Sequence, residues 1–149
     1  MSRPSVLVAA VVLAAVVGVL VWGSARPPDG PVEPRWDHTR CARCGMLLSE
    51  PRFAAQVQRE DGTVLHYDDP GCLLAHDEAV RGALADAHAV YFHHASEPRW
   101  LALDEVGFVP AETTPMDFGM AAVEIDAQPG AWTVAEALAR ARAHVEAAP

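Results

Sequence analysis

Three cysteines and three internal methionines are the residues of this chain best suited to chemistry. The densest group is Cys41-Ala42-Arg43-Cys44-Gly45-Met46. A Cys-x-x-Cys pair serves disulfide exchange, half of a zinc site, or capture of a soft metal ion. Glycine at position 45 permits a tight turn, which would let the Cys44 thiolate and the Met46 thioether face one ion. A thioether is neutral at every accessible pH and polarizable, so it favours Cu(I) over hard cations. The alternative use of Met46 is to fill core space. Met116 is a second candidate thioether, because Pro115 keeps Thr114 extended and stiffens its approach. Met120 precedes a strand-like run and suits the core.

Cys72 and His76 stand four apart on an expected helix and so share a face. With Cys41 and Cys44 they make a Cys-x-x-Cys…Cys-x-x-x-His set compatible with zinc. Alternatively, Cys72 is a small buried hydrophobe. Asp68 and Asp69 read as caps of that helix rather than as a hard-metal site. His38 lies near the cysteines in a loop, whereas His66 and the His93-His94 pair fall on strand-like segments. No Gly-x-Gly-x-x-Gly, Walker loop, His-Glu-x-x-His, EF-hand or Ser-His-Asp order is present. Nothing beyond cysteine offers a nucleophile, and the chain is expected not to be an enzyme.

The elements that must position these groups are legible in outline. Residues 52–60 alternate near their end as a half-buried strand does. Asp61-Gly62 signals a two-residue hairpin turn, and 63–67 forms the return strand. An acidic cap followed by proline opens a helix expected over 70–81, with Gly82 as its stop. Residues 89–94 and 121–126 read as two more strands. Thr133-Val134-Ala135-Glu136 has the form of a capping box, opening an alanine-rich helix to about 146. The expected fold is therefore α+β, two strand–strand–helix halves. The segment 95–119 between them, holding Trp100 and Thr114-Pro115-Met116, is the least regular, as functional loops often are.

Composition sets the surroundings. The chain has 149 residues, 11 basic against 20 acidic, for a net charge of −9. Every basic residue is arginine, which excludes lysine Schiff-base chemistry. An acidic surface excludes a nucleic-acid partner, since phosphate neutralisation needs clustered positive charge. Residues 5–25 carry no charge and span about the 20 apolar positions that cross a bilayer. Arg3 flanks the cytoplasmic end and Trp22 suits the far interface. The segment 1–25 is thus a membrane anchor or, with Gly23 and Ala25 as a cleavage site, a signal peptide. The rest would lie at the extracytoplasmic face of the membrane, or be released there after cleavage. Residues 26–36, rich in proline, read as an extended spacer, and 37–149 as the metal-binding domain. The exported part, 26–149, has a net charge of −10, which would weakly favour a basic docking face.

Cys-x-x-Cys-Gly-Met, the later Asp-Gly, Asp-Asp-x-Gly-Cys at a helix start, Trp100 and the late Thr-Pro-Met together resemble the NosL family. The resemblance runs from Asp37 to Ala143. That family comprises extracytoplasmic copper chaperones serving nitrous oxide reductase, and its fold has two strand–strand–helix halves. The resemblance implies Cu(I) ligands at Cys44, Met46 and Met116; Cys41, Cys72 and His76 remain further candidates from the zinc-like spacing. It implies a copper-receiving cuproenzyme or its maturation complex as partner. Two features depart from the family: no lipid-anchoring cysteine lies near Ala25, and Asp117 stands where glycine usually follows Pro-Met. A structural zinc module and a thiol–disulfide oxidoreductase, with Cys41 attacking and Cys44 resolving, are the alternatives.

Overall fold

The computed structural model describes residues 3–24, 26–76, 84 and 87–147. Helix α1 (Arg3–Ser24) comes first, then a single 3-10 turn at Pro51–Phe53. The remaining elements are β1 (Ala55–Arg59), β2 (Val64–Tyr67), α2 (Pro70–Leu74), β3 (Ala87–His93), β4 (Trp100–Ala102), β5 (Val106–Pro110), β6 (Met120–Glu124) and α3 (Val134–Ala147). The fold is mixed α+β, built on two antiparallel sheets.

Strands β2, β1, β3 and β4 lie in that order in one sheet, and β5 with β6 forms the other. This arrangement corrects the expected pairing of the second half. The strand expected at 89–94 is β3, but it zips onto β1, with Ala55 opposite Phe92 and Val57 opposite Val90. The strand expected at 121–126 is β6, and its partner is β5, with Phe108 opposite Ala122. Both β4 and β5 arise inside the stretch read as irregular. Three residues of β4 are too few to show a period, and β5 contains Gly107 and ends in Pro110, both poor strand formers. Their pairing comes from partners distant in sequence. A parallel bridge from His94 to Ala122 and an edge-to-face contact of Phe92 with Phe108, centroids 5.1 Å apart, join the two sheets. Met120 is buried in this core, as expected.

Turn and cap chemistry follows the sequence closely. The β1–β2 loop has three residues rather than two, closed by an Arg59 N–H to Thr63 carbonyl bond of 2.9 Å. Gly62 takes φ +82° there, the left-handed position that such loops reserve for glycine. At the start of α3, the Thr133 backbone N–H donates to Glu136 Oε2 (2.8 Å) and the Glu136 N–H to Thr133 Oγ1 (3.3 Å), a reciprocal capping box. Helix α2 begins at Pro70 behind the Asp69 cap. Of the helix expected over 70–81, the residues from 77 onward lie outside those described.

The spacer 26–36 contains no helix or strand, but it is not a free tether. Val32 exchanges two hydrogen bonds with the Gln56 amide (2.9 and 3.1 Å), and Gln58 Nε2 donates to the Gly30 carbonyl at 2.7 Å. Trp100 Nε1 donates to Glu33 at 2.7 Å. Glutamine side chains here complete main-chain bonding as a neighbouring strand would, which is why Gln56 and Gln58 are fully buried. Among the described residues, no helix is long and apolar enough to cross a membrane.

Candidate metal centre

The Cys-x-x-Cys-Gly-Met segment folds into a knuckle. An antiparallel bridge between Arg40 and Leu47 closes its base. Within it the Cys41 N–H donates to the Met46 carbonyl (2.8 Å) and the Gly45 N–H to the Cys41 carbonyl (3.0 Å). Gly45 has φ +78°, so the glycine following the second cysteine is what lets the chain reverse. The knuckle is docked on β2 by an Ala42 N–H to His66 carbonyl bond of 2.8 Å. The chain leaves β2 at Tyr67 and passes directly through Asp68 and Asp69 into α2.

Asp69 Oδ1 accepts the Gly71 N–H at 2.7 Å and caps α2. The helix carries Cys72 under the knuckle. The sulfurs of Cys41, Cys44 and Cys72 and one carboxylate oxygen of Asp68 all lie within 4.8 Å of one another. A tetrahedral ion with bonds of ~2.3 Å needs sulfur–sulfur edges of about 3.8 Å, so a small inward adjustment would close four ligands around one metal. Cys41 and Cys72 are buried, while Cys44 is half-buried and forms the outer corner. Cys44 Sγ is 3.4 Å from each oxygen of Asp68.

The Cys72 thiol donates to Cys41, which draws Cys41 down to about 4 against the cost of its burial. The same contact, with burial, pushes the Cys72 thiol far up. Burial raises Cys44 to about 11, and burial followed by the contact with Cys41 raises Asp68 to about 6. The negative charge of the thiol cluster sits on Cys41, and the other two sulfurs keep their protons near neutral pH.

The remaining expected site residues are placed differently. Met46 gives its carbonyl to the knuckle and leaves its side chain 48% exposed beside Cys44. The Met116 N–H donates to Asp69 Oδ2 at 3.1 Å, which brings its loop to the start of α2, one residue from Asp68. Met116 itself is half-buried against the core. Asp117 adopts φ +59°, the left-handed conformation glycine takes most easily and aspartate tolerates better than most residues. His76 lies beyond the end of α2, with Nδ1 2.9 Å from the Tyr67 hydroxyl, and is not part of the four-ligand cluster. The carboxylate of Asp68, expected to cap the helix, is instead a possible fourth ligand. One helix start needs one N-cap, and Asp69 supplies it, so the doubled aspartate was a signal that the other had separate work.

Comparison of the chain with family models, with curated proteins and with solved structures finds no match.

Proposed function

We propose that this chain is an extracytoplasmic Cu(I) carrier that hands its ion to a cuproenzyme or to the complex that matures one. The observation that carries the reading is the meeting of three thiols from two distant segments, with one of them reaching the surface. Thiolate and thioether sulfur select monovalent copper over the harder ions. Cys44 and Met46 would hold the ion at the exposed rim, with Met116 approaching from the loop pinned to Asp69. Cys41 and Cys72, buried beside Cys44, are the thiols that could replace a methionine in that set. Delivery needs no acid or base, only a ligand that a partner can displace. The location rests on the uncharged segment 5–25, and nitrous oxide reductase is the client that the NosL resemblance implies.

One observation favours a second reading, a structural zinc module. Asp68 joins the three sulfurs, and a closed four-ligand set with one carboxylate suits a divalent ion better than Cu(I). The thiol–disulfide alternative fits less well. Its attacking sulfur, Cys41, is only 4% exposed, and Cys44, the sulfur that a disulfide could reach, is a poor thiolate at about 11.

Elemental analysis of protein purified without added metal, followed by Cu(I) titration and chromogenic-chelator competition, tests the proposal. The carrier reading expects one tightly held Cu(I), weakened by Met46→Leu, by Met116→Leu and more strongly by Cys44→Ser. Stoichiometric zinc that copper does not displace would replace it with the structural reading.

A further inference from the structure

Along the sequence, the knuckle segment runs against the acidic balance of the chain. Residues 26–149 carry 10 basic and 20 acidic side chains. Residues 35–49 hold Arg35, Arg40 and Arg43 against the single acid Asp37, a local +2, which leaves −12 on the remainder. Arg40 Nη1 donates to the Gly45 carbonyl at 2.9 Å, so its guanidinium lies across the turn. Arg43, between the two knuckle cysteines, stands 5.4 Å from the centre of the Phe118 ring. Among the described residues neither makes an ion pair, whereas Arg52 and Arg99 each meet a glutamate within 3.1 Å. The same turn leaves Met46 and Leu47 exposed at 48% and 42%. Outside α1, Val145 is the other large apolar side chain so exposed among the described residues.

Arginine charge beside exposed apolar surface is the composition of a protein-docking patch. This patch lies on the turn that carries Cys44, the half-buried thiol of the three, and the acid at that thiol is Asp68, 3.4 Å away. Charges beyond about 10 Å are largely screened at 0.1 M salt, so the charges a partner feels at this turn are those of Arg40 and Arg43, partly offset by Asp68. We infer that the knuckle turn is the face through which metal is exchanged, and that it fits a partner protein whose own metal-accepting site is rimmed by carboxylates. This is the reverse of the docking polarity suggested by net charge. The inference rests on the carrier reading.

The test uses the full chain loaded with one Cu(I) and two chelators of the same ring system. One is sulfonated bathocuproine, a dianion; the other is uncharged neocuproine. Stopped-flow removal is followed from low to high salt. The sulfonated chelator is expected to slow roughly 2- to 5-fold as salt rises from ~10 mM to ~300 mM, while the neutral one stays unchanged. Arg40→Gln with Arg43→Gln should abolish that dependence, and Arg43→Gln by itself should leave the equilibrium Cu(I) affinity in place. Arg43→Gln alone, which keeps the bond from Arg40 to Gly45, should reduce the salt dependence, and Arg142→Gln on α3 should not. A flat or rising rate with salt for the sulfonated chelator on the unmodified protein would overturn the docking face while leaving the carrier intact. Failure to load Cu(I) in the preceding titration would overturn the carrier, and the docking face with it.

Discussion

Gly71 offers a test of how the metal-site helix is seated. It lies in the first turn of α2, between the Asp69 cap and Cys72. A Cβ added there would fall on Cβ, Cγ and Cδ1 of Phe118, far inside the ordinary carbon–carbon contact of ~3.5 Å. These atoms are the root of the ring, not a flexible tip. Gly71→Ala therefore pits two effects against each other. Alanine in a helix gains at most about 1 kcal/mol over glycine. Against it, Phe118 must leave a site where it is 9% exposed, which forfeits about 1.5–3 kcal/mol of burial. If α2 shifts instead, the overpacking costs about 1–3 kcal/mol. The clash should win by about 1 kcal/mol, a drop of roughly 3–5 °C in the melting temperature for a domain of this size. In a Phe118→Ala background the obstacle is gone, so the same change should become neutral or mildly stabilising, a coupling that a double-mutant cycle reads directly. Thermal unfolding by circular dichroism measures both. A melting temperature for Gly71→Ala equal to or above that of the parent would refute this packing of the Met116–Phe118 loop on α2.

Asp69→Ala removes the acceptor of both the Gly71 and the Met116 N–H groups; denaturant unfolding should show a loss of about 2–4 kcal/mol, with Asp69→Asn milder. Gln56→Ala with Gln58→Ala deletes three bonds to Gly30 and Val32. Trypsin should then cut after Arg35 about 10-fold faster or more, and unchanged cleavage would mean the strap is held by other contacts. Because Cys44 is pushed up to about 11 and Cys72 is raised as well, an incoming ion must displace protons from both. Cu(I) affinity should therefore rise from pH 6 to pH 8, by about tenfold per unit for each proton released. A pH-independent affinity in chelator competition would contradict that charge state.

What the sequence determined by itself is what depends on neighbours in the chain. The Gly45 turn, the Gly62 turn, the Asp69-Pro70 helix start and the Thr133–Glu136 capping box each arise from a few consecutive residues whose conformational preferences act locally. Cys41 and Cys44 were readable as a candidate metal pair for the same reason, since type and short spacing are visible without a fold, whereas Cys72 read equally as a small buried hydrophobe. Tertiary structure decided the rest. Whether β3 pairs with β1 or with β6, whether 95–119 contains strands, and whether the proline-rich stretch stands free all depend on main-chain partners tens of residues away, which local pattern does not encode. Asp68 belongs with Cys41, Cys44 and Cys72 only because β2 carries it beneath the knuckle, and His76 is left with Tyr67 because α2 ends before it. A ligand set is a convergence of directions in space, and only the packed sheet and helix fix those directions.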